Sequence, residues 1–482
     1  MRTLIIYFSL LLGLSVTVIA QTEVAAFDHY YNVNNKKVRS INTLHLPEQN
    51  RYLILFKDDL RYTAYLVDAD FNDIGEGLLT KSSFTMYPNI EGITAVGDRV
   101  TLFLSQKDHK KWKTVQFDFG KRALVESPKP IKFKKQVYLK SFQIKNDLYV
   151  LKMQRESSIF VLQKGLLDGS FEEIVFDLSF YDFKEGKRSD YTLSRKLTFA
   201  NSIANTNVIS GNQPLSIEAA NSRLKLYPER QRLRLTMDLD RERTYMVDLD
   251  ILEKTVAVTP LLMPQFSKKT GLLKTNSYIN DDYLYQLAIS LDEMVIRVHD
   301  ISNNSIVKEI RTSKNEEIDF KSTPLIQEGG QFKDYRELDN TKQFYRKMIN
   351  SLPAIAVFKD GEQNILTVGA SETFQSSGTG ALFGVSGAIL QNGLSLMLNV
   401  YTMYSRTKTM RFQSVFNNDF QFVPNARVSE NVFDRIAQLE ESLSLTLDKR
   451  QQATTTLTRL KDGYLWGWYM PKDDIVTYYL IH

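Results

Sequence analysis

No cysteine occurs in the 482 residues, which excludes a disulfide framework, thiolate catalysis, thiolate-held metal and a lipid-accepting Cys. Histidine is scarce. The five, His29, His45, His109, His299 and His482, all stand too far apart in sequence to form a local ligand pair, so an imidazole metal site has no support. Neither charge sign dominates: 61 basic residues face 56 acidic ones, a net of +5, too mild for a nucleic-acid surface. Apolar runs are confined to the N-terminus and to residues 380–404, so no stable membrane span is expected.

Motifs that carry chemistry are also missing. Gly384-Val385-Ser386-Gly387-Ala388 lacks the closing Gly of a nucleophile elbow. The glycine run from Gly378 misses the dinucleotide fingerprint. Asp68, Asp70 and Asn72 begin like a calcium loop, but Asp73 stands where that loop needs Gly and Leu79 where it needs Glu; a turn between strands is expected there. No cofactor and no metal are expected.

What the chain does have starts at its beginning. Arg2, the apolar run Leu4 to Leu14, and small or β-branched residues up to Ala20 have the layout of a secretory signal peptide over residues 1–20. The mature chain then starts at Gln21, and an exported, periplasmic or extracellular location follows. Tyr (24) and Phe (28) are plentiful, which favours strands.

Short β-type runs recur throughout. Residues 50–77, 97–127 and 145–178 share one layout: an apolar strand, a charged turn, a return strand, and a further extended run. Tyr52, Val100 and Leu148 hold equivalent positions 48 residues apart. Looser copies follow at 222–258, 280–310, 352–371 and 462–481. The strands at Tyr464 and Ile475 are expected to close a ring with an N-terminal strand around His29–Asn34 or Arg39–Leu46, which removes open edges. Repeating meanders of this length resemble a β-propeller. The resemblance is to a superfold, since no WD dipeptide, kelch double glycine or Asp-box is present. It implies an all-β fold of about seven blades with short helical insertions, one domain over 21–482 with an inserted region at about 372–450. The alternatives are tandem β-sandwich domains, or a propeller followed by a separate C-terminal domain.

Two stretches break the strand pattern. Asp334–Leu352 places Leu338, Phe344, Met348 and Leu352 at helical spacing before Pro353. Ser429–Leu447 offers Ser429 as a cap, with Val432, Phe433, Ile436 and Leu443 on one face.

Two surfaces stand out. Residues 107–119 and 128–135 put lysines around Trp112 and Phe133, a pattern that suits an anionic partner or serves as edge protection. Residues 380–404 form a hairpin about Asn392-Gly393 with apolar side chains on both faces. It is either core between blades, or a contact for a protein partner or second copy; a lone hairpin in lipid leaves unpaired edges. Leu382, Leu396, Leu398, Lys110, Lys111 and Trp112 are therefore the candidate interaction residues, with a homo-oligomer through the 380–404 hairpin as one outcome. The expected function is a non-catalytic binding or scaffold role in the cell envelope, with a protein or glycan partner. The rival is a carbohydrate-active hydrolase or lyase whose acids converge from several blades.

Overall fold

The computed structural model describes residues 22–30, 37–133, 135–183, 192–199, 206–209, 217–266, 273–329, 334–372, 407–428, 430, 432–443, 454–460 and 463–481. Its strands form seven sheets of four or five. Sheet 1 holds Ser40–Leu46, Arg51–Lys57, Tyr62–Val67 and Leu78–Leu79. Sheet 2 holds Asn89–Val96, Arg99–Ser105 and Lys111–Asp118, with Ala123–Glu126 and Ile131–Lys132 both paired to the third strand. Sheet 3 holds Gln136–Ile144, Asp147–Gln154, Ile159–Gly165 and Phe171–Asp177, and sheet 4 holds Thr206–Val208, Leu224–Pro228, Arg232–Met237, Arg243–Asp250 and Thr255–Leu262. Sheet 5 holds Lys274–Asn280, Tyr283–Ile289, Glu293–Asp300 and Ile306–Ser313. Sheet 6 holds Leu352–Asp360, Gln363–Ser371, Thr409–Phe416, Ile326–Gly329 and Asp334–Glu337. Sheet 7 takes Thr455–Leu460, Gly463–Met470 and Ile475–Ile481 from the C-terminal end and Thr22–Asp28 from the other.

Neighbouring sheets meet along the ring, as at the seams of sheets 7 and 1 and of sheets 5 and 6. Thr43 of sheet 1 accepts from Thr458 of sheet 7, and Asn276 of sheet 5 accepts from the Ile355 N–H of sheet 6. Together with the closing sheet built from both chain regions, this is a seven-bladed β-propeller. The turn chemistry explains the period. The turns between first and second strands of blades 1, 2, 3, 5 and 6 carry a left-handed residue, at Asn50, Gly97, Lys145, Asp281 and Gly361, with φ between 50° and 59°. Such turns match the twist of the strands they join. Tyr52, Val100 and Leu148 are accordingly each the second residue of a second strand.

Three expectations change. The strand that closes the ring is Thr22–Asp28, which pairs with Ile475–Ile481 from Thr22↔Leu480 to Asp28↔Ile475. Ser40–Leu46 instead opens blade 1. Within the stretch read as an insertion, Thr409–Phe416 is a strand of blade 6, paired along its length with Gln363–Ser371. The helix expected over 334–352 runs over Thr341–Asn350, capped by Asn340, whose side chain accepts from Gln343 N. Phe344 and Met348 are buried, whereas Leu352 has already entered the next strand and is exposed. The second helix is Val432–Ser442, with Val432, Phe433, Ile436 and Leu439 buried against Leu457 and Trp466 of blade 7.

Blade 4 places extra chain on its inner side. Thr206–Val208 pairs in parallel with Leu224–Leu226, and the short helix Ile217–Ala220 beside it packs on the first two strands of blade 6. Asn207 Nδ2 donates to the Ala219 carbonyl at 2.8 Å and Asn221 Nδ2 to Ser371 Oγ at 2.6 Å. A segment of blade 4 is thereby tied to blade 6. No described helix is long and apolar enough to cross a membrane.

Candidate functional site

The seam between blades 2 and 3 starts from two facing bulges. On the inner strand of blade 2, Ile90 pairs Leu104 and Gly92 pairs Phe103, which leaves Glu91 as the extra residue. On the inner strand of blade 3, Tyr138 pairs Lys152 and Lys140 pairs Leu151. A bulge re-aims the side chains around it. Here it turns Glu91 and Tyr138 towards one another. A Cβ on Gly92 would lie 2.5 Å from Leu148 Cδ1, so glycine is what allows blade 3 to close over this bulge.

Glu91 is fully buried. Its Oε1 accepts from His109 Nδ1 at 2.6 Å and from the Ser105 hydroxyl. Its Oε2 accepts from the Tyr138 hydroxyl at 3.0 Å and from the Ser141 hydroxyl. The His109 ring lies parallel to that of Tyr138, with centroids 3.9 Å apart. Burial opposes ionisation of Glu91, but the hydrogen bonds from His109, Ser105 and Ser141 and the His109 charge outweigh it and hold the carboxyl below its ordinary range. Burial, then the Glu91 charge, pushes the Tyr138 hydroxyl well above its usual value. The phenol stays a donor to the carboxylate.

This network holds a turn in place. His109 sits in the left-handed region at φ 54°, which few residues other than glycine occupy. Asn89 Nδ2 donates to the Gln106 carbonyl at 2.9 Å and Trp112 Nε1 to the His109 carbonyl at 2.8 Å. The turn at residues 106–110 is thus fastened from beneath by side chain, ring and backbone.

Beside it lies a second buried group. Lys152 is 1% exposed, its Nζ 2.6 Å from the Phe133 ring centroid and 5.3 Å from that of Trp112. Nζ donates to Gln163 Oε1 at 2.5 Å, and Gln163 Nε2 donates onward to Glu173 at the outer strand. Burial lowers the Lys152 ammonium to about 6, against the raising influence of Glu173 and Glu91. Lys140 is drawn down to about 8 by burial, with Glu91 again opposing. Burial therefore holds both lysines towards neutrality.

Over this buried layer runs a lysine rim. Ile131–Lys132 pairs with the start of Lys111–Asp118, so that Ile131 faces Trp112 and Lys132 faces Lys111 directly across the ladder. The two lysine-rich stretches are thus brought together. Lys107, Lys110, Lys111, Lys129, Lys132 and Lys135 are all exposed. Among the described residues, Asp108, 3.2 Å from Lys110, is the one carboxylate in an ion pair with any of the six. Trp112 corrects the expectation for it. It is fully buried, because strand alternation sends Lys111 outwards and Trp112 inwards, edge-on to Phe133 at 5.7 Å. The rim is cationic without an exposed indole.

The trio Ser105, His109 and Glu91 has the composition of a hydrolytic triad but not its wiring. A relay needs the acid on one imidazole nitrogen and the hydroxyl on the other. Here Glu91 and Ser105 both face Nδ1, at 2.6 and 3.2 Å, while Nε2 is buried without a protein partner. The trio fastens a turn. Among the described residues no three His, Asp or Glu side chains gather as a metal set. Asp68 forms a turn as expected: Oδ1 accepts from the N–H of Asp70 and of Asn72. Leu382, Leu396 and Leu398, with the rest of the 380–404 hairpin, lie outside the described residues.

The Glu91 network was missed by sequence reading. Its trace is the lone acid followed by Gly inside an apolar strand, Asn89-Ile90-Glu91-Gly92-Ile93.

No family model matches the chain, and no curated protein does. Among solved structures it is similar to Kluyveromyces lactis Hsv2 at 10% identity, covering 93% of this chain and 98% of that one with a TM-score of 0.32. It is similar to TolB from Acinetobacter baumannii at 9% identity, covering 58% and 55% of the two chains with a TM-score of 0.24. Against the dihydro-heme d1 dehydrogenase NirN the identity is 9% and the TM-score 0.27, over 58% of this chain; the match spans about half of NirN, 48%. Likenesses at this level carry no functional argument, and the propeller assignment rests on the order and closure of the sheets.

Proposed function

We propose that this chain is a non-catalytic binding module that takes an acidic glycan on the lysine rim of blade 2. The observation that supports it is the pairing of Lys111 with Lys132 directly across a strand ladder. Like charges set opposite each other destabilise a sheet, and a bound polyanion relieves that repulsion. The turn at residues 106–110 is held before any ligand arrives, which lowers the ordering cost of binding. Nucleic acid suits the rim less well, because single-strand binding relies on exposed rings for base stacking and Trp112 is enclosed. Export, as the N-terminal layout implies, would bring such a rim among envelope or extracellular polysaccharides.

The test is a titration with a polyuronate and with a sulfated glucan at two salt concentrations. The expected result is binding that weakens as salt rises and falls about tenfold or more in the double charge reversal Lys111→Glu with Lys132→Glu. No binding by the parent protein, or equal binding by the reversal variant, overturns the reading. Tighter binding of duplex DNA than of either glycan reassigns the partner and overturns it too.

A further inference from the structure

Outer strands of the blades are guarded in nearly every case. Phe171–Asp177 carries Glu172, Glu173 and Asp177; Ile306–Ser313 carries Lys308, Glu309 and Arg311; Thr22–Asp28 carries Glu23 and Asp28; and blade 1 ends in a strand of two residues. Charge and shortness are the usual protections of an open edge. Blade 4 ends differently. Its outer strand Thr255–Leu262 reads TVAVTPLL, eight residues without a charge, and it is the terminal strand of its sheet.

Part of this edge is already occupied. Leu261 and Leu262 offer their carbonyls to Gln286 Nε2 at 3.3 Å and Arg297 Nη1 at 3.2 Å of blade 5. Pro260 has no N–H to give. Among the described residues, the stretch left open is Thr255-Val256-Ala257-Val258-Thr259, and that stretch is a palindrome. Laid antiparallel on itself about Ala257, it sets Thr255 against Thr259, Val256 against Val258 and Ala257 against Ala257. Every cross-strand pair is then of one residue kind, and the threonine pairs are of a favourable type.

The flanks agree with the same axis. Leu252, in the turn before the strand, and Leu262, at its end, are 64% and 62% exposed. The axis through Ala257 brings Leu252 of one copy beside Leu262 of the other, twice. Val256 and Val258 fall on the face that also carries Leu262, half-buried on the core shared by blades 3 and 4. One continuous apolar strip results across the two copies.

We infer that a second copy of this chain pairs with the first along Thr255–Thr259, two-fold about Ala257, to make a homodimer whose fourth blades join into one sheet. The contact is isologous, as a closed two-fold requires, and independent of the glycan reading. With strand bonds and one apolar strip it belongs at the small end of specific interfaces, so a reversible dimer is expected, with a dissociation constant of roughly 10 µM.

Sedimentation velocity over about 1 to 100 µM protein tests it, with Ala257→Glu as the breaking variant. Asp248 is the partner of Ala257 on the neighbouring strand, so the substitution lines up carboxylates from both copies across the axis. The parent is expected to pass from monomer to dimer over this range. Ala257→Glu is expected to stay monomeric, its dissociation constant raised about tenfold or more, and to recover a dimer when mixed with Ala257→Lys. A parent protein that stays monomeric throughout, an Ala257→Glu that dimerises like the parent, or a mixture that fails to recover overturns the proposal. Ala257 is exposed, so melting should be unchanged. Should Ala257→Glu melt early, Leu252→Asp in the exposed turn takes its place, with the same loss of dimer expected.

Discussion

Two seams of the ring are fastened by different chemistry. Between blades 7 and 1 the tie is neutral: Thr456 Oγ1 accepts from the Thr43 N–H at 2.9 Å, Thr458 donates to the Thr43 carbonyl at 2.6 Å, and Thr43 and Tyr478 hydroxyls meet at 2.8 Å. Between blades 2 and 3 the tie is a buried carboxylate with four donors on Glu91. Neutral hydroxyl bonds contribute little net stability each and ignore pH. A buried ion with charge-assisted bonds costs much to strip of its partners and responds to pH. The charged tie lies under the lysine rim, where a turn in an uncommon conformation has to be held. Where the ring needs only closure, hydroxyls suffice. Blades 4 and 5 repeat the charged form: Asp238 accepts from the Ser277 N–H and hydroxyl at 2.9 Å and from Thr244 at 2.8 Å.

The largest break of this contrast is Glu91→Ala, which leaves His109, Tyr138, Ser105 and Ser141 without their common acceptor. A loss of about 3–5 kcal/mol is expected, read by chemical denaturation. The parent should also lose stability in acid that the variant no longer has to lose. The Glu91 carboxyl is held below its unfolded value, so its contribution is full above that value and disappears as pH falls through the folded one.

A smaller effect of opposite sign is expected at Lys152. Its folded value is about 6 against 10.5 for the unfolded chain. Between these the unfolded chain binds the extra proton, so stability rises with pH across that window. Lys152→Met should therefore stabilise the protein by about 1–3 kcal/mol. The gain should be widest near pH 6 and narrow towards pH 10.5, measured by thermal melts across pH. The smallest change is Thr43→Val at the neutral seam, with a loss of about 1 kcal/mol that stays level across the same pH range.

Much of the ring was legible because local chemistry repeats with the blade. A left-handed turn residue at Asn50, Gly97 and Lys145 precedes each equivalent apolar strand, and the eye finds the period there. Contacts between blades follow no period. Glu91 reads as an ordinary polar residue in a strand until the bulge turns it inwards, and the seam that receives it belongs to the next repeat. Trp112 looked like a surface ring because its neighbours are lysines; strand alternation decides the matter and depends on where the strand begins. The closing strand Thr22–Asp28 is hidden in the sequence, because it directly follows a leader-like stretch and its partner, Ile475–Ile481, is remote from it along the chain. Compositional reading found the lysine rim because both halves of it are lysine-rich stretches close in sequence.

Sheet 7 has a bearing on how the molecule is made. Its inner three strands come from residues 455–481 and its outer one from residues 22–28, so a chain emerging from the ribosome can assemble six blades and still remain an open arc. Thr22–Asp28 has to wait, unpaired, for Ile475–Ile481. Completion therefore waits until residues 455–481 are free to pair, and any factor that shields Thr22–Asp28 in the interval acts on the step that turns a row of blades into a circle.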